Sequence, residues 1–298
     1  MLFRSKAPSR RTVEQRRATT SQICVGTGWQ GVDAGAETQR WTDQILAAAG
    51  VSLATDSLDM LVLSPMNTEP NSARDFFTRL DRQRERVAGV LLLQPFMYQD
   101  LRQGLQDRGL RCVVVNRPNL SARYNFVTAD HLAAGRTLGR CLALMGVRRV
   151  GLLGLQPQQW PSSVELWTGL IEGELQTLGK QTFQFQHIPC DSSQEEDGYV
   201  AVRKALRRGK PPEILIAAGD FQALGAIRAC MELGLKVPRD IGVVGTTGLD
   251  IGRFASPRLT VLAQPMKRIG RAAAGMLMRM QRTGQSRIPG RVLKGTFV

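Results

Sequence analysis

The sequence predicts an α/β protein of two doubly wound parallel-sheet lobes. Short apolar runs alternate with amphipathic helical segments along almost the whole chain, the pattern of strands joined by crossover helices. The clearest unit is Glu213–Pro265. There an apolar run to Ala218 stops at Gly219-Asp220, and a helix with Ala223, Leu224, Ile227, Cys230 and Met231 on one face follows. Gly234 and Pro238-Arg239-Asp240 then turn the chain into a second apolar run, Ile241–Gly245. This is a βαβ unit. The strands so found outnumber those of one small sheet, so two lobes are expected.

In order, Met1–Thr20 is polar and basic and reads as an arm. The first lobe is expected to take strands at Gln22–Gly26, Met60–Ser64, Gly89–Leu93 and Cys112–Asn116. Helices at Glu37–Ala49, Ala73–Arg84 and Leu101–Arg108 lie between them. Asn119–Asn125 reads as a crossing segment. The second lobe is expected to hold strands Val147–Leu153, Thr182–Ile188, Ile214–Ala218 and Ile241–Gly245. Its helices are Asp130–Met145, Val164–Leu178, Glu195–Arg207 and Phe221–Leu233. Asp130 and Asp220 stand at helix starts, where a carboxylate can accept from the free N–H groups of the first turn.

Composition narrows the function classes. Of 298 residues, 43% are hydrophobic and 22% charged, ordinary values for a globular protein. No run of about 18 apolar residues exists to span a bilayer, and Met1–Thr20 lacks the apolar core of an export signal, so a cytoplasmic location and no membrane partner are expected. The five cysteines, Cys24, Cys112, Cys141, Cys190 and Cys230, form no CxxC pair and mostly sit in apolar contexts, so they read as small buried hydrophobes. Two histidines, His131 and His187, provide neither zinc spacing nor a catalytic set. No metal, no cofactor and no enzymatic activity are expected.

Charge is unevenly placed. The net charge is +15, with six Lys/Arg against one Glu in residues 1–20 and ten Lys/Arg with no acid in residues 251–298. Clustered positive charge attracts phosphate backbones through counterion release, so sequence-independent contact with DNA through the basic ends is expected; an Arg-biased solvated surface is the alternative.

The run DFQALGAIRACMELGLKVPRDIGVVGTTGLD (220–250), followed by SPRLTVLAQP (256–265) and by Gly270 and Ala273, resembles the effector-binding domain of the LacI/GalR (lactose-repressor/galactose-repressor) transcription regulators. Upstream, Gln94-Pro95, Asn116-Arg117-Pro118 and VTADHLAAGRTLGRCLALMGVRRVG (127–151) agree in the same order, so the resemblance covers roughly residues 21–298. It implies the type I periplasmic-binding-protein-like architecture, two lobes on a three-segment hinge. The chain would cross back at the SPRLTVLAQP segment, lay Pro265–Thr283 on the first lobe and return Arg287–Val298 as a last strand to the second. The implied division is a basic arm, 1–20; a first lobe, 21–118 plus 265–284; and a second lobe, 119–264 plus 285–298.

The same resemblance implies a small-molecule effector in the cleft, a carbohydrate in many relatives, a side-by-side homodimer, and DNA reading by a separate helix-turn-helix headpiece. Some twenty residues precede the first strand, too few for that three-helix reader, so DNA specificity is expected to lie elsewhere. For the dimer, the broad apolar stripe of Met266, Ile269, Ala273, Met276 and Met280, with Phe76, Phe77 and Leu80, is the expected surface. An exported solute-binding protein of a sugar transporter with the same fold is the alternative reading.

The expected ligand-binding residues are Trp29, Phe96, Asn116, Arg117, Asp130, Leu166, Asp220 and Thr247. Trp29 and Phe96 follow strands one and three, where an aromatic ring could cover a ligand face, and Arg117 is the best placed donor for an anion or hydroxyl. Leu166, Gly219 and Thr247 replace the family's sugar-contacting Arg, Asn and Asp. Losing a guanidinium fork, an amide and a carboxylate predicts a less polar effector than a monosaccharide, or none.

Overall fold

The computed structural model describes residues 22–28, 36–66, 72–93, 98–116, 125–154, 161–207 and 209–298. Two six-stranded sheets form two lobes. The first contains β1 (Gln22–Gly28), β2 (Asp59–Met66), β3 (Val87–Leu93), β4 (Arg111–Val115), β5 (Phe126–Ala129) and β11 (Arg291–Leu293), in the order β11-β5-β4-β3-β1-β2 and parallel throughout. The second contains β6 (Arg149–Leu153), β7 (Gln184–Ile188), β8 (Ile214–Ala217), β9 (Gly242–Gly245), β10 (Thr260–Ala263) and β12 (Thr296–Phe297), in the order β12-β10-β9-β8-β6-β7. Only β12 runs antiparallel, against β10.

The sheets form for a shared reason. Strands such as VAGVLLL (β3) and ILIA (β8) are apolar on both faces because helices cover both sides. The first lobe carries α1 (Ala36–Ala54), α2 (Ser72–Asp81), α3 (Tyr98–Asp107) and α8 (Met266–Thr283). The second carries α4 (His131–Leu144), α5 (Pro161–Leu178), α6 (Glu195–Leu206), α7 (Asp220–Glu232) and a short 3-10 turn, Asp250–Phe254. In each sheet the strand order reverses beside the first strand, between β1 and β3 and between β6 and β8, and the crevice beyond the carboxyl ends at such a reversal is where open α/β sheets bind ligands.

Two boundaries differ from the sequence reading. The chain leaves the first lobe after β5, at Ala129-Asp130, and not within Asn119–Asn125. Asn125 already belongs to the first lobe, where its carbonyl accepts from Val114 N at 2.9 Å, and Phe126–Val127 pair with β4. A four-residue strand bounded by polar residues is too short to announce itself by pattern. Nor is Arg287–Val298 one strand of the second lobe. Arg291–Leu293 closes the open edge of β5, and only Thr296–Phe297 reaches β10. The three inter-lobe crossings are therefore Ala129-Asp130, Gln264-Pro265 and Lys294-Gly295.

Helix α8 lies on the first lobe, and its apolar stripe is consumed there. Ile269, Ala273, Leu277 and Met280 are fully buried among α1 and the sheet, and Gly270 lets the α1 backbone approach so closely that a Cβ would strike the Ile45 carbonyl. Phe76 and Leu80 are buried in the core on the opposite face of the same sheet. The width of the stripe thus reflects one lobe's own packing, so it does not mark a dimer surface. Cys24 and Cys230 are buried and the other three cysteines half-buried, and no disulfide joins any of the five.

Candidate functional site

The cleft is lined by the carboxyl ends of both sheets and the starts of the helices that follow. Asp130, at the first crossing, caps α4 by accepting from Ala133 N at 2.9 Å. Next to it His131 is 8% exposed, with an Nε2 that has no hydrogen-bond partner, and burial holds its pKa down at about 4, so the ring is neutral. Asp130, His131, Ser163, Leu166, Thr246 and Gln264 line a cavity of about 50 Å³. That is room for a few water molecules at most, far below the several hundred cubic ångströms of a typical ligand pocket. Glu165 on α5 is pushed up to about 7, by burial first and then by the charge of Asp130.

At the other end of the cleft the lobes touch through carboxylates. Gly219, extended and without a side chain, precedes α7 and cannot cap it. The N–H groups of Asp220 and Phe221 donate instead to Glu37 of α1, at 2.7 Å to Oε1 and 3.1 Å to Oε2, and the Thr247 hydroxyl donates to Oε1 as well. Asp220 turns the other way. Its Oδ1 accepts from Thr247 N at 3.1 Å, and its Oδ2 from Gly248 N at 2.8 Å and Leu249 N at 2.6 Å. Glu37 is 5% exposed and Asp220 0%. Burial, then the neighbouring Asp220 charge, pushes Glu37 up to about 7, against the pull of its three donors; burial also raises Asp220, opposed by its three backbone bonds.

Beside them Trp41 Nε1 donates to Gln264 Oε1 at 3.1 Å, and Gln264 Nε2 donates to the Thr246 carbonyl at 3.1 Å. Phe221 and Leu249 from the second lobe join the first lobe's core with Trp41 and Met266.

The eight expected site residues therefore divide. Asp130 and Leu166 come together on the central cavity, and Asn116 stands at the carboxyl end of β4, in a left-handed conformation (φ 55°), with Thr128 Oγ1 at 3.5 Å from its Oδ1. Trp29, Phe96 and Arg117 lie outside the described residues. Asp220 and Thr247 are corrected: both are buried, and their polar atoms are spent on loop 247–249 and on Glu37, so neither offers a group to a ligand in this arrangement. Asp220 also does not cap its own helix, because Glu37 has taken the first-turn donors.

Sequence reasoning missed Glu37, Trp41 and Gln264, while His131, next to the cap Asp130, was expected at a helix start on the cleft rim and lines the cavity. An acid in the first turn of a helix is common, because it favours the positive end of its own helix dipole, and Glu37 looks no different until the second lobe is in place. Among the described residues no group of His, Cys, Asp and Glu is arranged to hold a metal ion. What the site offers is a small cavity of mixed polar and apolar lining, with a neutral imidazole and the Asp130 carboxylate, suited to binding.

A model of the periplasmic binding protein-like domain matches residues 140–298, more than half of the chain. Among curated relatives, the repressor PurR of Pectobacterium carotovorum is 30% identical over 223 residues, covering 73% of this chain and 63% of that protein. An HTH-type transcriptional regulator in the aml 5′ region of Streptomyces limosus is 34% identical over 175 residues, 58% of this chain and 49% of that protein. The chain thus spans about half to under two thirds of these relatives' length. Two solved structures share the fold. The lac repressor dimer bound to operator and the anti-inducer ONPF superimposes with TM-score 0.78 at 21% identity, covering 99% of this chain and 98% of that one. The cellobiose complex of the transcriptional regulator CelR does so with TM-score 0.78 at 22% identity, covering 97% and 88%. By the family match over more than half of its length, the chain belongs to the periplasmic binding protein-like family, and the two curated relatives above are HTH-type transcriptional regulators.

Proposed function

We propose that the chain is the effector-binding and dimerisation domain of a LacI/GalR-like transcription regulator, acting in the cytoplasm and without enzymatic activity. The observation that carries this reading is the pair of doubly wound lobes joined by three crossings, with their carboxyl edges facing one cleft. Such a hinge converts a ligand in the cleft into a change of lobe arrangement, and in a regulator that change sets the spacing of two DNA-reading headpieces. In this reading sequence-specific DNA contact belongs to a helix-turn-helix outside this sequence. The basic residues 1–20 and 251–298 add sequence-independent attraction to phosphates.

Trp29, Phe96, Asn116, Arg117, Asp130 and Leu166 are the proposed effector-facing set. With Leu166 buried beside a small cavity and Asp220 and Thr247 already engaged, the favoured effector is less polar than a monosaccharide. For the homodimer, a different surface now supports the reading. Leu224, Ile227, Met231 and Ala255 line a groove on the second lobe, and Phe254, adjacent in sequence, is 88% exposed.

Sedimentation of the chain at tens of micromolar tests the assembly. A dimer is expected, since a standard-sized interface holds at about micromolar affinity. A monomer throughout that range overturns the dimerisation role.

A further inference from the structure

The N-terminus of α7 presents two backbone donors, on Asp220 and Phe221, that no helix carbonyl can reach. The acceptors come from 183 residues away in sequence and from the other lobe, in the carboxylate of Glu37. All three of its hydrogen bonds described above cross the cleft, to Asp220 N, Phe221 N and the Thr247 hydroxyl. One turn along α1, Trp41 repeats the crossing by donating to Gln264, while Phe221 and Leu249 are buried in the first lobe's core.

The surroundings are matched to this visitor. A Cβ on Gly219 would collide with the Glu37 carboxyl group, so the position admits the carboxylate only as glycine. Thr247 supplies a donor; an acid there would have added a third negative charge beside Glu37 and Asp220.

We propose that Glu37 is a built-in latch: its carboxylate occupies in cis the seat formed by the α7 N-terminus and Thr247, and it holds the two lobes closed without a bound effector. Closure is then the resting arrangement of this chain. The inference rests on lobe geometry alone and stands or falls separately from the regulator reading.

Small-angle X-ray scattering and amide hydrogen exchange on the full chain test it, comparing wild type with Glu37→Ala, Gly219→Ala and the double variant. Each single change is expected to raise the radius of gyration and to speed exchange at the Asp220 and Phe221 amides about tenfold or more, since charge-assisted bonds protecting those amides are lost. The double variant should add little to either single, because both remove the same contact. Unchanged scattering and unchanged protection in Glu37→Ala overturn the latch, and full additivity overturns the pairing with Gly219. Should Glu37→Ala fail to fold, Glu37→Gln keeps the side chain's shape and one carbonyl acceptor. A smaller rise in both readings is then expected, and no rise overturns the proposal.

Discussion

Glu37 and Asp220 are buried carboxylates on opposite lobes that divide the available donors between them: Glu37 takes the N–H of Asp220 itself, and Asp220 takes those of Thr247, Gly248 and Leu249. Each is surrounded by its own fan of donors, and this lets two acids share one dry site.

Asp220 is expected to be costly to replace. In Asp220→Ala three backbone N–H groups lose their acceptor in a buried loop, at about 1–3 kcal/mol for each unsatisfied group, so a loss of at least about 3 kcal/mol follows. Thermal or urea unfolding checks this. A shift within about 0.5 kcal/mol, ordinary for a surface substitution, would show that the loop re-solvates freely.

The acidity of Glu37 gives stability a direction with pH. Its folded pKa of about 7 lies above the 4.5 of an unperturbed carboxyl, so the folded chain binds the extra proton between these values. The contribution is fully present below about pH 4.5 and is lost as pH rises through 7, a change on the order of 3 kcal/mol. Glu165 titrates in the same window, so the measurement is the difference between wild type and Glu37→Gln unfolded at pH 5 and at pH 8. The wild type should lose more stability on going to pH 8, and parallel profiles would contradict the assignment.

Monosaccharides are expected to bind weakly. Two or three absent charged hydrogen bonds, at about 1.5–3 kcal/mol each, put glucose, galactose, ribose and xylose in the millimolar range or beyond. Leu166→Arg alone should not restore them, because Gly219 and Thr247 are committed to Glu37. Calorimetric titration decides it, and micromolar binding of any of the four sugars would show a rebuilt polar site.

The second-lobe groove offers a direct probe of assembly. Met231→Asp places a charge beside Leu224 and Ile227 on an exposed helix face, and it should lower dimer affinity about tenfold or more with little change in monomer stability. Light scattering over a concentration series reads this, and an unchanged dimer would move the interface elsewhere.

Binding to duplex DNA should be sequence-independent and should fall steeply between about 50 and 200 mM salt. Arg268, Arg271 and Arg279 are exposed on α8, which lies on the first lobe. Fluorescence anisotropy with two unrelated duplexes checks it. No binding at low salt would make these arginines a solvated surface only.

The strands and helices were legible in sequence wherever apolar period and turn residues agreed, as in Glu213–Gly245. β5 and β11 were not, because four- and three-residue strands are defined by their partners in the sheet. Of the site, Asp130 announced itself as a cap, since a cap is a local relation. Glu37 could not, because its meaning arises only when Gly219 and Thr247 arrive from the other lobe. His131 was placed on the cleft rim by its position after Asp130, but its burial and unpartnered Nε2 depend on α5, packed across from it.

The three crossings also order events during synthesis. The first lobe receives α8 and β11 only after all of the second lobe except β12 has been synthesised, so β5 waits through about 160 residues of translation for the strand that covers its edge. Until then an unpaired parallel edge and an exposed apolar sheet face are open to other chains. Overexpression yield should accordingly respond to chaperones that shield nascent chains, and a nascent first lobe on its own is the species most prone to aggregate.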